Sequence, residues 1–158
     1  MVKSSVLSIF VVTASACGFM PEEMQQAAGD LVGQATGMGK KACRAEVPPN
    51  IKAIKEAEII YDSENDAFVA VQQHPAASSG NKPQSWGVGN TGFNNLNWHP
   101  GGNVAGVYSV TTRPSSAATP GGDFEVVGKI DCDGDGVFST YTATKSLNVK
   151  MTTPNSVY

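Results

Sequence analysis

The chain has 158 residues, a formal net charge of −3 and only 16% charged residues. Its length is enough to bury the core of one domain. The acidic balance argues against nucleic-acid binding, which requires a basic face. The 17 glycines and the many Asn, Ser and Thr residues are typical of a turn-rich exported protein that contains β-structure.

Residues 1–16 have the composition of an export signal peptide. Lys3 supplies a positive start, residues 6–12 an apolar core, and residues 13–16 a small-residue cleavage zone. The apolar run is too short to span a bilayer. Cys17 follows at once, and residues 14–17 (ASAC) resemble the lipobox of bacterial lipoproteins. The resemblance implies that Cys17 carries a lipid anchor; ordinary cleavage after Ala16 is the alternative.

Residues 17–46 are predicted to tether the domain to its anchor and to be partly helical. Proline and two acids at 21–23 favour a helix start. Glycines at 29, 33, 37 and 39 weaken any helix by about 1 kcal/mol each. A short helix packed on the domain is the alternative. We assign the domain itself to residues 47–158.

The first strong helix follows two prolines, with Asn50 predicted as its N-cap. Lys52 and Glu56 can pair one turn apart, and Glu58 is assigned to the same solvated surface. The helix is expected to end at 62–66, and residues 67–72 either continue it or form a short strand. Apolar residues at helical spacing predict the buried side: Val47, Ile51, Ile54, Ala57, Ile60, Tyr61 and Phe68.

Residues 73–102 form a long loop rich in Gly, Pro, Asn and Ser. Loops of this length in compact domains are usually functional or locally packed. Its aromatic residues either fix the loop to the sheet or form a binding surface, for which we name Trp86, Phe93 and Trp98. His74 and His99 lack a neighbouring Cys, Asp or Glu at ligand spacing, so a metal or catalytic role is not expected for either.

Three alternating segments predict strands at 104–111, 123–130 and 137–144. Phe124, Val126, Gly128 and Ile130 share one face of the second strand. A helix followed by a short antiparallel sheet predicts an α+β fold in which the helix covers one sheet face.

The turn between the last two strands has the sequence DCDGDG at 131–136. Asp-Gly between alternating segments predicts a hairpin. Asp131, Asp133 and Asp135 also match the first half of a calcium loop. The twelfth position is Thr142 instead of Glu, so the loop is no EF-hand. A possible Ca²⁺ site and a plain acidic turn both remain open.

Three cysteines in an exported chain leave one unpaired. If Cys17 is lipidated, Cys43 and Cys132 remain to form a disulfide across a loop of about 90 residues, contributing about 2–4 kcal/mol.

Residues 41–58 (KACRAEVPPNIKAIKEAE) resemble the C-terminal half of the long helix of type IV pilins. Residues 97–100, 106–110 and 133–143 are similar to the sheet of pilin-like heads. The resemblance covers 41–158 and implies a helix packed on an antiparallel sheet, with a role in a filament or its tip. Residues 24–39 differ, because they are too polar and too rich in glycine to form the apolar pilin stem.

These observations lead to one main hypothesis and one alternative. The first is a non-catalytic, pilin-like structural or interaction protein of the bacterial cell envelope or surface, accessory to a type IV pilus or type II secretion-like system. Its partners would be other envelope proteins, and the membrane through the lipid anchor. The alternative is a calcium-dependent secreted binding module that recognises a glycan or protein through the 86–98 loop. No hydrolase or phosphate-binding motif favours an enzyme.

Overall fold

A long helix followed by five short strands makes up the part of the chain that the computed structural model describes, residues 39–80, 82–87 and 91–158. Residues 39–44 are helical, and a turn at 45–46 separates them from the long helix. The elements that follow are α1 (Val47–Asn65), β1 (Val71–His74), α2 (Thr91–Asn95), β2 (Val107–Arg113), β3 (Asp123–Ile130), β4 (Ser139–Thr144) and β5 (Lys150–Met151). The predicted α+β class is confirmed.

The five strands form one antiparallel sheet in chain order, β1-β2-β3-β4-β5. The predicted strand at 123–130 is confirmed residue for residue, and its burial alternates as expected. Strand β2 begins three residues later and ends two residues later than predicted, and β4 begins two residues later than predicted. Of residues 67–72, only 71 and 72 form strand, and β1 continues through residues 73 and 74, which were predicted as the start of the long loop. Strand β5 was not predicted, since two residues are too few to show a period.

Helix α1 begins three residues before the position predicted for its cap. Glu46 precedes the helix, and the two prolines lie in its first turn, where the backbone N–H groups have no intrahelical partner. The prediction of Asn50 as N-cap is therefore wrong. Its side-chain amide donates instead to the Tyr108 hydroxyl at 2.8 Å. The helix ends as expected at Asn65, with Asp66 in the left-handed conformation.

The core lies between α1 and the strands β3 and β4. Val47, Ile51 and Ile54 of the helix are fully buried. Val47 and Ile51 pack directly on Gly128 of β3. A Cβ atom added at Gly128 would lie 2.7 Å from Val47 Cγ1 and 2.9 Å from Ile51 Cδ1. Glycine at 128 is thus required by close packing of the helix on the sheet.

Two helix residues lie on the opposite side from the one predicted. Ile60 is 59% exposed, whereas Glu58 is fully buried. The buried row of α1 is Val47, Ile51, Ile54 and Glu58, spaced by three and four residues. Because that row continues to Glu58, Ile60 faces outward. The predicted pair of Lys52 and Glu56 is present at 3.7 Å.

Candidate functional site

The acidic turn between β3 and β4 brings the three predicted carboxylates together. One ligand atom from each of Asp131, Asp133 and Asp135 lies within 4.8 Å of the others. Gly134 and Gly136 have φ values of +77° and +85°, a conformation that glycine adopts without strain. The predicted hairpin is therefore present, and its carboxylates converge.

Most of the charge in this turn already has a partner within the chain. The two Asp131 carboxylate oxygens accept hydrogen bonds from the backbone N–H groups of Gly134 at 2.7 Å and Gly136 at 3.0 Å. Asp133 Oδ2 lies 3.0 Å from Lys40 Nζ. The hydrogen bond from Lys40 is the largest of the effects that lower the pKa of Asp133.

The donor set is compatible with a hard cation, because carboxylate oxygens are the ligands that Ca²⁺ prefers. Each carboxylate oxygen has more than one acceptor direction, so the amide contacts do not block it. The Lys40 ammonium, however, already places a positive charge beside Asp133. A bound cation would have to displace or tolerate that ammonium.

The predicted disulfide between Cys43 and Cys132 is confirmed. The two Cα atoms lie 6.0 Å apart, a distance usual for disulfides. The bond joins the helical residues 39–44 to the acidic turn, over a sequence separation of 89. It therefore holds the start of the described chain against the β3–β4 hairpin.

Arg44 holds the C-terminal tail beside this disulfide, which sequence analysis did not predict. Arg44 is 7% exposed, and its guanidinium donates to the carbonyl oxygens of Asn155 at 3.0 Å and Val157 at 2.7 Å. The Tyr158 ring centroid lies 4.3 Å from Arg44 Cζ, within cation–π range. Ser139 Oγ also donates to the Val157 carbonyl.

Glu46 connects the start of α1 to the segment that leads into β2. Its Oε2 accepts from the Ala105 N–H at 2.9 Å. Its Oε1 accepts from the Gly106 N–H at 3.1 Å and from the Tyr108 hydroxyl at 2.8 Å. Burial, more than any other effect, raises the pKa of Tyr108 far above its ordinary value. The phenol therefore stays a hydrogen-bond donor to Glu46.

Glu58 is a fully buried carboxylate within α1. Its Oε2 accepts from the Val69 N–H at 3.0 Å. Its buried Oε1 has no hydrogen-bond partner among the described residues. Desolvation by burial raises the pKa of Glu58 from 4.5 to about 7; the Val69 hydrogen bond acts in the opposite direction, and the charge of Asp62 raises the pKa further.

The aromatic residues of the long loop pack mostly against one another. Phe93 is fully buried, and its ring centroid lies 5.2 Å from those of both Trp86 and Trp98. Phe93 thus belongs to the core and not to a binding surface. The two tryptophans are half-buried and also contact the Tyr108 ring at 6.1 Å. Of the three predicted surface aromatics, only these two reach the exterior.

An open pocket of about 580 Å³ lies beside Trp86. Its walls are formed by Asn94 of α2 and by loop residues on both sides of that helix, two of them glycines. The named lining residues are Ser85, Trp86, Asn94, His99, Pro100 and Asn103.

The two histidines have different surroundings. His74 Nε2 is 2.5 Å from the Trp86 carbonyl oxygen, and its ring stacks edge-on against Trp86. His99 is exposed and lines the open pocket. Within the described ranges, the one group of at least three His, Cys, Asp or Glu side chains close enough to hold a metal is the acidic turn.

The remaining predicted site, the lipidated Cys17, lies outside the described residues, as do the signal peptide and the part of the tether that precedes residue 39. Among residues 39–158 as described, no helix is long and apolar enough to span a bilayer. Comparisons with models of protein families, with curated proteins and with solved structures found no match for this chain.

Proposed function

We propose that this protein is a non-catalytic, pilin-like structural or interaction protein of the cell envelope, accessory to a type IV pilus or type II secretion-like system. The observation that carries the proposal is the order of the elements. One long helix lies across a sheet whose five strands follow in chain order. The family resemblance of residues 41–158 implies a helix packed on an antiparallel sheet, and the observed order is compatible with that.

A non-catalytic role is supported by what the polar side chains contact. His74 binds a backbone carbonyl, Asp131 binds two backbone amides, and Glu46 binds two amides and a phenol. General acid–base catalysis needs such groups within reach of a substrate. Here they hold loops and elements to one another.

An exported location is supported by the disulfide between Cys43 and Cys132. Disulfides persist in oxidising compartments and are rare in the cytosol. With these two cysteines paired, Cys17 is the remaining cysteine of the three. Because Cys17 has no second cysteine left in the chain to pair with, it is free to carry the proposed lipid anchor.

The proposal is tested by photo-crosslinking in the native host. A photoreactive residue replaces Ile60, an apolar side chain of α1 that is 59% exposed. We expect adducts that contain a pilus or secretion-system subunit. The matched control carries the same residue at Leu147, which is 64% exposed and lies outside the helix. Equal adducts from both positions, or none from either, would contradict a specific role for the helix surface.

The intact mass of the uncrosslinked protein from the same membrane fraction tests the anchor. We expect a chain that begins at Cys17, carries acyl groups and is two hydrogens lighter than the dithiol form. The substitution Cys17→Ser should release the protein from the membrane. A soluble, unlipidated wild-type chain would refute the anchor while leaving the crosslinking result to judge the interaction role.

A further inference from the structure

The open pocket beside Trp86 has the size and composition of a small-molecule site. Its volume of about 580 Å³ falls within the ~300–1,000 Å³ common for ligand pockets. One aromatic side chain and one proline supply apolar surface, while Ser85, Asn94, His99 and Asn103 supply polar groups. Pockets of this kind bind ligands that combine an apolar face with several hydroxyl or amide groups.

The aromatic wall of the pocket is held rigidly. Trp86 contacts the rings of His74 at 4.5 Å, Phe93 at 5.2 Å and Trp98 at 5.4 Å between centroids. Its backbone carbonyl is bound by His74 Nε2. Because the indole is fixed on its buried side, its remaining surface is in place before a ligand arrives, which lowers the entropy cost of binding.

The polar wall has free hydrogen-bonding capacity. Asn94, His99 and Asn103 are exposed. No hydrogen bond of the Asn94 or Asn103 side-chain amide is found among the described residues, and His99 makes only a long contact of 3.3 Å to its neighbouring carbonyl. Each amide offers two donors and one carbonyl acceptor, and imidazole adds a further site. Such groups can pair with adjacent hydroxyls that both donate and accept.

Among the described residues, no Asp, Glu, Lys or Arg lines this pocket. A charged ligand would lose hydration without gaining a charged partner, so the pocket disfavours phosphates, carboxylates and amines. A purely apolar ligand would leave the amides desolvated and unpaired. The ligand chemistry that satisfies both walls is neutral, rich in hydroxyls and apolar on one face.

We propose that this pocket binds a neutral pyranose sugar, with the ring C–H face against Trp86 and the hydroxyls toward Asn94, His99 and Asn103. The inference rests on the pocket alone and is independent of the proposed envelope role. The sugar can be a free monosaccharide or the terminal residue of a glycan, since both present the same ring.

Saturation-transfer NMR on the full chain tests the proposal. The probes are the methyl glycosides of glucose, galactose, mannose and N-acetylglucosamine at millimolar concentration, with methyl glucuronide and glucosamine as charged comparisons. We expect transfer to the ring C–H protons of at least one neutral probe, and shifts of the Asn94 and Asn103 side-chain amide signals. A disaccharide that ends in the responding sugar distinguishes the two sources, because tighter binding indicates a glycan ligand.

Three single substitutions locate the site. Asn94→Ala, His99→Ala and Asn103→Ala each remove an exposed side chain and should weaken binding by roughly three- to tenfold, the effect of one lost neutral hydrogen bond. Asn95→Ala is the matched control, since Asn95 lies outside this lining; its affinity should equal that of the wild type. The proposal is overturned by absent transfer from all neutral probes, by equal affinity in all four variants, or by equal binding of the charged sugars.

Discussion

The two ends of helix α1 are fixed to the domain by two glutamates in different ways. Glu46, just before the helix, accepts hydrogen bonds from two backbone amides and one phenol. Glu58, near the other end, is fully buried but accepts from one backbone amide, and its second oxygen has no partner in the described structure.

The two glutamates differ both in burial and in their donors, because Glu46 is half-buried with three donors and Glu58 is fully buried with one. Removing a carboxylate from water is costly unless hydrogen bonds replace its hydration. Glu46 has three such donors and fastens the helix to the start of β2. Glu58 has one donor, and burial raises its pKa to about 7. Its charged form therefore opposes folding, whereas its neutral form does not.

Glu46→Ala should have the largest effect on stability. The substitution leaves the Ala105 and Gly106 amides and the Tyr108 hydroxyl without their acceptor, and each unsatisfied buried donor costs about 1–3 kcal/mol. We expect the free energy of unfolding to fall by at least about 3 kcal/mol. Urea denaturation followed by tryptophan fluorescence at neutral pH measures it, with an unchanged m-value as the sign of two-state behaviour.

Glu64→Ala provides the control for this substitution. Glu64 is an exposed acid of the same helix, so its removal should change the stability by less than about 0.5 kcal/mol. Equal stabilities of the Glu46 and Glu64 variants would show that the three hydrogen bonds do not fasten the helix.

Sequence patterns predicted the features that depend on local order. The Asp-Gly turn at 131–136, strand β3 and the buried Ile51 and Ile54 follow from turn chemistry and hydrophobic period, which act over a few residues. The disulfide followed from counting cysteines. These features required no knowledge of which distant segments meet.

The polar contacts could not be predicted in the same way. Glu46 binds groups 59 to 62 residues away, and Arg44 binds a tail 111 to 113 residues away. Hydrophobic periodicity assigns the apolar residues of a helix to its buried side. It does not predict that a charged residue in the same row, such as Glu58, is buried as well. The row Val47, Ile51, Ile54 and Glu58 was the one signal that could have located it.

Glu58→Gln should abolish the pH dependence of stability that the buried carboxyl creates. Below its unfolded pKa of 4.5 the carboxyl is neutral in both states, so its ionisation costs no stability. As the pH rises from 4.5 to about 7, the unfolded chain ionises first, and stability falls by about 3 kcal/mol in total. Glutamine keeps an acceptor for the Val69 amide and has no charge. The variant should therefore match the wild type near pH 4 and be more stable at pH 8.

The free energy of unfolding, measured from acid to mildly basic pH, tests whether the wild type loses stability relative to the variant as the pH rises. Glu56→Gln is the matched control, because Glu56 is exposed on the same helix and its one ion pair among the described residues is with the exposed Lys52 at 3.7 Å. Its curve should follow that of the wild type. A Glu58→Gln variant that is less stable than the wild type at pH 8 would mean that ionised Glu58 is satisfied by a partner that the carboxylate gains in solution.

The smallest effect is expected at the acidic turn, where the partner of the Asp133 carboxylate is a half-buried lysine, Lys40. Lys40→Ala should raise the pKa of Asp133 toward its ordinary value of 3.8, because the hydrogen bond from Lys40 is the main cause of the lowered pKa. Titration of the Asp133 carboxyl signal by NMR measures the shift. Because the pKa of Asp133 is lower in the folded protein than in the unfolded chain, its ionised carboxylate stabilises the fold above pH 3.8. This stabilisation disappears as the pH falls through the pKa of the folded state. The wild type and the variant should thus become equally stable in strong acid.

The effect of calcium on the wild type and on Lys40→Ala decides whether the turn is a Ca²⁺ site or a plain acidic turn. Because Lys40 and the backbone amides already meet the charge of Asp133 and Asp131, millimolar calcium should leave the melting temperature of the wild type unchanged. Lys40→Ala removes the ammonium that competes with a cation for Asp133. If the turn binds calcium weakly, calcium should therefore raise the melting temperature of this variant more than that of the wild type. A calcium-dependent rise in the melting temperature of the wild type itself, reversed by a chelator, would contradict this expectation, because a ligand that binds only the folded state must stabilise it. The turn would then be a cation site whose ligands tolerate Lys40.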